Sequence, residues 1–452
     1  MIKTLKNLLY ILQLEEYNLL RFLKWTKKHK KRRGLERKGH LVWTPKAKVL
    51  FLLSLFFNSL LLNKNPVLAL QLATLTLAPL ENIVKIFLTK LAEIKLKRRK
   101  DLTVIGITGS FGKTSTKEIL SQILSQKYPV LKTPKSYNTP LGIAQIVLKR
   151  LNKKHKVFIV EMGAYKIGEI KAICSFVKPK IGILTGLGPQ HLERFGSLEN
   201  IRKAKLELAY SLPKEGTLLI NSDSFPLEKI PQIKKVIFYG IEKKKKRRNY
   251  IFAKNIHLRT EKTTFVLETN LSQALDKKRI VTPLLGKHNV LNILPAIALG
   301  ILFKIPPFQI QNVVKNLSFV SHRLEIIKRG KNIIIDDTYN ANPKGVKSAF
   351  SLLSLFSPKI KVIITPGLVE LGEKQFAENL KVGELAGQTA DYVIFVGKTN
   401  KEALIRGAEK FKKMEVNLFW VPTLQKAVEK LQELALPETV ILFENDLPDQ
   451  YF

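Results

Sequence analysis

Cysteine is almost absent from these 452 residues. Cys174 stands alone, which excludes an internal disulfide framework and suits a reducing compartment. Its plain reading is a small, buried, apolar side chain. Acidic residues are scarce beside basic ones, 36 against 77, leaving a formal charge of +41. An excess of that size points to polyanions, whether a membrane surface, nucleic acid or anionic substrates. No aromatic-interleaved RNA signature, zinc-finger spacing or recognition-helix pattern is present, so no specific nucleic-acid partner is expected. The lysines are spread along the whole chain, and charge alone does not choose among the remaining partners. Neither apolar run near the N-terminus reaches the roughly 20 residues that span a bilayer. No small-residue cleavage pattern follows them, which argues against a cleavable signal peptide.

Three regions follow from the patterning. Residues 1–100 are basic and apolar. The stretch 21–48 includes Lys27-Lys28-His29-Lys30-Lys31-Arg32-Arg33, and 49–62 is almost wholly apolar. After the break Asn63-Lys64-Asn65 a second apolar stretch runs from Pro66 to about Leu80, turns amphipathic past Glu81, and ends in basic residues at 95–100. Two short helices with basic outer flanks suit a hairpin over about 47–88 whose ends both stay cytoplasmic. A pair buried against protein or lying at the interface is the other reading. The expectation is a cytoplasmic protein attached to the anionic inner face of the cell membrane. Residues 101–319 and 320–452 form two further domains, in which strand-like runs alternate with helical patterns. The first series is 102–107, 157–160, 181–184 and 217–220, then a β-richer stretch over 236–281 with a basic, solvated loop at 243–248. The second is 332–335, 360–364, 392–396, 417–420 and 439–443. Such alternation predicts the α/β class with largely parallel sheets.

The densest chemistry lies in Thr108-Gly109-Ser110-Phe111-Gly112-Lys113-Thr114-Ser115, between the run 102–107 and a helical pattern over 116–126. Strand, glycine loop, lysine, hydroxyl and helix start together cradle a nucleoside triphosphate. Backbone N–H groups and the helix N-terminus face the phosphates, Lys113 supplies a point charge, and Thr114 is placed to ligate Mg²⁺. Position 107 is isoleucine where the longer form of this loop has glycine, so the motif is the shorter T-G-x-x-G-K-[ST] variant.

Other clusters sit at predicted strand ends, where open α/β sheets collect ligand groups. Glu161 follows one strand, and His191 lies in Gly188-Pro189-Gln190-His191-Leu192-Glu193 after another. Lys205 lies fourteen residues further on, on a helical pattern. Singly, these read as a helix-capping acid, a loop histidine and a surface lysine. Together with the glycine loop, the chain over about 102–445 resembles the Mur ligase family, which joins an amino acid or peptide to a cell-wall precursor carboxylate using ATP. Segments at 163–169, 191–197, 336–343 and 369–372 resemble the D-alanyl-D-alanine-adding branch. The implied fold is a central P-loop ATPase-like parallel-sheet domain and a C-terminal Rossmann-like domain, behind the helical N-terminal region.

By that resemblance, Lys113 and the loop amides bind the β- and γ-phosphates. Thr114 and Glu161 hold one Mg²⁺; His191 helps hold a second, with Lys205 matching a carbamylated lysine. Carbamylation suits the site because it turns a cation into an anionic oxygen ligand of the kind magnesium prefers. Asn289 and Asn292 match the adenine-recognition element, Arg323 reaches the γ-phosphate, and Asp337 accepts from the ribose hydroxyls. Asn138 and Thr139, with Asn340 and Asn342, are implied to face substrate. The partners implied are an anionic cell-wall precursor and D-Ala-D-Ala.

Three departures stand out. Nothing in residues 1–100 resembles the family's uridine-diphosphate-gripping domain, and the family's glycine-lysine-glycine-serine-arginine ending reads here Phe443-Glu444-Asn445-Asp446-Leu447-Pro448. Asn379 also stands where a histidine is often found. A membrane-tethered ligase acting on a lipid-linked precursor, or using a different amine, is therefore the alternative, and a non-catalytic nucleotide-binding scaffold is a second.

Overall fold

The computed structural model describes the chain except residues 1, 30–38, 63, 135–136, 227–229, 231–232, 242–247, 340–341, 358, 412–415, 448 and 452. Asn340, most of the 243–248 loop and most of the 27–33 basic cluster thus lie outside the described residues. Two compact units emerge, one of residues 1–87 with 447–452, the other of residues 88–446.

The first unit is helical: α1 (Ile2–Leu14), α2 (Leu19–Lys28), α3 (Pro45–Leu60) and the start of α4 (Pro66–Lys97). Asn18 and Thr44 cap α2 and α3 by accepting the backbone N–H of Arg21 and Ala47. Its core gathers Leu9, Ile11, Leu12, Phe22, Leu50 and Leu70. The chain's last residues belong to this unit. The Tyr10 hydroxyl donates to buried Asp449 at 2.6 Å, and the Trp25 indole N–H donates to the Gln450 carbonyl at 3.0 Å. The expected second short helix is instead a 32-residue one running on to Lys97 with Pro79 inside it. The polar residues after Leu80 change its exposed face without ending it. By length and composition α4 could cross a membrane, and 28% of its most apolar window is buried.

The second unit holds two sheets. The central elements are β1 (Thr103–Thr108), α5 (Lys113–Leu124), β2 (Val130–Lys132), α6 (Pro140–Arg150), β3 (Val157–Glu161), α7 (Glu169–Val177), β4 (Ile181–Leu184), α8 (Leu192–Phe195), α9 (Leu198–Tyr210), β5 (Thr217–Asn221), β6 (Lys235–Gly240), β7 (Tyr250–Leu258), β8 (Thr263–Thr269), β9 (Arg279–Thr282), α10 (Lys287–Leu302) and α11 (Pro307–Lys315). Strands pair in the order β2-β3-β1-β4-β5-β6-β7-β8-β9, parallel through β7 and antiparallel beyond. The strands β1, β3, β4 and β5 are nearly continuous buried apolar runs, as sheets covered on both faces require. The order reverses at β1, so the loop after β1 opens into the crevice at a switch point.

The C-terminal elements are β10 (Glu325–Arg329), β11 (Asn332–Asp337), α12 (Pro343–Leu353), β12 (Ile360–Thr365), α13 (Gln375–Thr389), β13 (Tyr392–Val396), α14 (Lys401–Phe411), β14 (Asn417–Val421), α15 (Leu424–Glu433) and β15 (Thr439–Glu444). Their order is β10-β11-β15-β12-β13-β14, all parallel but the edge strand β10. The α/β expectation and its two parallel-rich sheets hold. The short edge strands β2 and β10 are additions to the predicted set. Cys174 is buried, and burial pushes its thiol up to about 12, which keeps it inert.

Candidate functional site

The loop 109–112 is built by close approach. Gly112 caps α5 at φ +83°, and a Cβ there would lie 2.5 Å from Asn292 Oδ1, so only glycine fits. Ser110 N–H donates to Gly186 O at 2.6 Å, Ser110 Oγ to Gly188 O at 3.0 Å, and Thr185 Oγ1 to Phe111 O at 2.6 Å. These bonds staple the loop to the turn after β4. Buried Thr108 donates to Met162 O, tying the same loop to β3. Lys113 Nζ turns back onto the carbonyls of Gly109 and Ser110 at 2.9 and 3.0 Å. Burial lowers its pKa to about 8; Glu161 opposes the shift and Arg323 adds to it. Ser115 is buried in the first turn of α5.

Register places Glu161 beside Ile107, one residue short of the end of β1. Its buried carboxylate accepts from Thr114 Oγ1 at 3.0 Å, Lys117 Nζ at 3.1 Å and Asn138 Nδ2 at 3.3 Å. Lys117, fully buried, was not anticipated. Its signal was helical spacing, since it follows Thr114 by three residues on the same face of α5. Thr139 caps α6 by accepting Gly142 N–H, which gives it a structural task. Arg323 Nη2 donates to Thr114 Oγ1 at 3.3 Å, bringing the C-terminal domain to the same hydroxyl.

His191 occupies a left-handed backbone at φ +55°. Its Nδ1 pairs with the Glu370 carboxylate from the loop after β12. Arg194 donates to the other Glu370 oxygen at 2.9 Å, and its guanidinium lies 3.9 Å over the Tyr165 ring. Burial lowers the His191 pKa; Glu370 opposes this, while Arg194 and Lys113 add to it. Lys205 is buried on α9, with Nζ 3.4 Å from Ala164 O and 5.3 Å from the Phe195 ring centre. Burial, then the positive charge of Lys113, lowers its pKa to about 7. Lys113 therefore lies within electrostatic reach of Glu161, His191 and Lys205, the three groups picked out in the sequence.

At the start of α10, Asn289 Nδ2 donates to Leu285 O at 2.8 Å, and Asn292 bridges Asn289 and Thr116. Asp337 ends β11 opposite Glu444 of β15. Its Oδ1 accepts Leu324 N–H, and burial raises its pKa. Glu444 is wholly buried, and neither carboxylate oxygen has a hydrogen-bond partner among the described residues. Burial and the Asp337 charge hold its pKa well above the usual carboxylate range. Asn342 caps α12 through Lys344 N–H and Gly345 N–H. A cavity of about 570 Å³ opens beside Glu370, lined by Glu193, Gly372, Glu373, Gln375, Lys398 and Asn400 among others.

The donor set fits hard-cation chemistry. A buried carboxylate joined to a helix-start hydroxyl offers the oxygen ligands that Mg²⁺ takes, beside an amide-lined loop that takes phosphate. Fold and site together are those of an α/β nucleotide-triphosphate-binding protein. Residues 107–300 match the Mur ligase middle domain, and residues 322–444 the Mur ligase, glutamate ligase domain. The chain belongs to the Mur ligase family, whose members are ATP-dependent ligases.

Among its relatives is the UDP-N-acetylmuramoyl-tripeptide–D-alanyl-D-alanine ligase of Buchnera aphidicola, 33% identical over 68% of this chain and 67% of the relative. MurF from Acinetobacter baumannii superposes with a TM-score of 0.70 at 27% identity, covering 80% of this chain and 77% of that one. MurF from Thermotoga maritima in complex with ADP gives 0.67 at 26% identity, over 80% of each chain. The chain spans about two thirds of the length of the curated relatives it matches first, and neither family model reaches residues before 107.

Proposed function

We propose that this chain forms a peptide bond at the expense of ATP, adding D-alanyl-D-alanine to UDP-N-acetylmuramoyl-tripeptide in peptidoglycan precursor synthesis. The relatives' names support the substrates. The observation that carries the reaction is the convergence on Glu161: Thr114, Lys117 and Asn138 bond its carboxylate, Arg323 bonds Thr114, and Lys113 lies within electrostatic reach.

The acceptor carboxylate is a poor electrophile. Its oxygen attacks the γ-phosphorus of ATP, ADP leaves, and an acyl phosphate forms. The dipeptide amine then attacks the acyl carbon, loses a proton, and expels inorganic phosphate. Lys113 and Arg323 offset charge on the transferring phosphoryl group, and the loop amides orient it in line. Mg²⁺, when bound, would supply further charge neutralisation, with Thr114 and Glu161 holding one ion and His191 and a carbamylated Lys205 a second. A pKa near 7 supports carbamylation, because the neutral amine that attacks CO₂ is abundant at physiological pH. Asn289 and Asn292 read the adenine, and Asp337 takes the ribose. Asn138 and Thr139, with Asn340 and Asn342, face the peptide substrates. The mixed-charge cavity beside Glu370 suits a zwitterionic dipeptide. Contacts from Arg323 and Glu370 hold the last domain over the central one, excluding water that would hydrolyse the acyl phosphate.

The N-terminal unit attaches the enzyme to the anionic inner face of the membrane. Leu52, Phe56 and Leu60 on α3, and Leu80, Ile83 and Phe87 on α4, are each more than half exposed at helical spacing. Apolar stripes of this extent mark interaction surfaces, and the basic flanks suit anionic lipid. This face favours a second acceptor, the lipid-linked form of the same precursor. The test is release of inorganic phosphate from the full chain with ATP, Mg²⁺ and D-Ala-D-Ala, offered each acceptor in turn. Release that requires both acceptor and dipeptide, with the ligated product seen by mass, is expected. ATP binding without acceptor-dependent release would leave a scaffold.

A further inference from the structure

The ligase reading gives Glu370 only a share in holding the two α/β domains together, yet its contacts with the central domain are specific ones. Its carboxylate takes His191 Nδ1 on one oxygen and Arg194 on the other, at 3.1 Å from Nε and 2.9 Å from Nη2. Its backbone carbonyl also accepts Glu193 N–H at 3.0 Å. Tyr165 closes the group, beneath the Arg194 guanidinium and edge-on to the His191 ring at 4.9 Å. Both Glu370 and His191 hold left-handed backbones, at φ +61° and +55°. Non-glycine residues keep such conformations only where their surroundings over-determine them.

The loop carrying Glu370 is itself fixed. Buried Asn379 accepts Leu368 N–H at 2.8 Å and donates to Leu368 O at 2.9 Å. Asn400 donates to Pro366 O and Leu368 O, and Asn445 to Gly367 O. Gly367, at φ +75°, could carry no Cβ, which would fall 2.2 Å from Asn379 Oδ1. Asn379, where the family often has histidine, thus serves to hold this loop.

We infer that Glu370 is a positioning residue for the second metal site: reaching from the C-terminal domain, its carboxylate takes the His191 Nδ1–H and so fixes the tautomer that leaves Nε2 as a ligand. A carboxylate is acceptor-only, so the proton between the two belongs on Nδ1, and a neutral ring then carries its lone pair on Nε2. Outer partners of this kind orient ligating histidines and typically contribute 10–100-fold to metal affinity. The second ion site would be complete only when the two domains are together.

The inference rests on the proposed two-ion site, and Mn²⁺ binding tests both. The full chain is saturated with a non-hydrolysable ATP analogue, bound Mn²⁺ is counted by electron paramagnetic resonance, and analogue affinity is measured separately. Wild type binds two ions. Glu370→Ala is expected to weaken one of them about 10–100-fold while analogue affinity stays within about threefold. His191→Ala should lose the same ion, and the double variant should lose no more. Glu370→Gln keeps an acceptor oxygen for Nδ1–H in nearly the same shape, so it should retain both ions. Arg194→Ala, which removes the ion pair and the Tyr165 stacking but leaves Glu370 on His191 Nδ1, should also retain both. Two unchanged ions in Glu370→Ala, or equal damage from Arg194→Ala, would overturn the positioning role. Fewer than two ions in wild type would overturn the two-ion reading itself.

Discussion

The N-terminal unit and the ligase unit handle burial in opposite ways. In the first, α3 and α4 turn one apolar stripe into the unit's core, through Leu50 and Leu70, and a second outward, where Leu52 is 65% and Phe56 57% exposed. In the second, charges turn inward: Lys117, Glu161, Lys205 and Glu444 are each at most 3% exposed. Outward apolar surface costs free energy in water unless a partner covers it, and an inward charge costs more unless something pairs it. Each departure therefore marks a place where the fold expects another chemical species. Under the proposed function, the first unit's species would be apolar and those of the second anionic substrates and cations. The first unit also keeps two buried acids among its described residues: Glu15, paired with Arg21, and Asp449, paired by the Tyr10 hydroxyl and Gly39 N–H. Among the described residues of this unit, the larger departure is the exposed apolar face.

The largest test of this contrast is to strike one unit and read the other. Lys113→Ala and Lys205→Ala should each lower acceptor-dependent phosphate release by at least about 10²–10³-fold, with binding to anionic vesicles unchanged. Added short-chain acids should partly restore Lys205→Ala by replacing the carbamate oxygens; full activity without them would remove the carbamate. Conversely, Leu52→Asp with Phe56→Asp should reduce co-sedimentation with anionic vesicles by about 100-fold or more, given about 1.5–3 kcal/mol per buried side chain. Turnover on the soluble acceptor should stay at the wild-type rate. Undiminished sedimentation would mean that the stripe does not meet lipid.

The smallest expected effect concerns Glu444. Its pKa is raised in the folded chain, so the folded state keeps a proton that the unfolded state has already lost above its ordinary pKa of about 4.3. Wild-type stability should therefore fall as pH rises from that value toward the folded pKa. Glu444→Gln has no such proton to lose. It should match wild type near pH 4 and exceed it at pH 8 in denaturant unfolding, because only wild type then has to give up a proton to the solvent or bury a charge. Parallel pH profiles would show that folding does not shift the Glu444 carboxyl.

Legibility followed sequence distance. The glycine loop, the strand before it and the helix after it are contiguous, so residue spacing alone exposes them. Glu161, His191 and Lys205 each mark a strand end or helix face, and their grouping came from the resemblance to the Mur ligase family rather than from the residues singly. Glu370 was visible only as part of a short motif, because its partner His191 is 179 residues away. Lys117 looked like any lysine on a lysine-rich helix, and only β3 arriving alongside buries it against Glu161. The tail 447–452 carries no pattern that assigns it to the N-terminal helices; Asp449 meets Tyr10 across 439 residues. The strands β2 and β10 sit at sheet edges, where short length and mixed polarity leave little periodicity.

What the sequence determined by itself is local: hydrophobic period, helix caps, and a glycine–lysine–hydroxyl run whose backbone geometry follows from its own residues. Tertiary structure alone decided which side chains share a proton, a charge or a cation, because those energies depend on the distance between groups and on the water excluded around them. Neither quantity exists until strands far apart in the chain lie side by side.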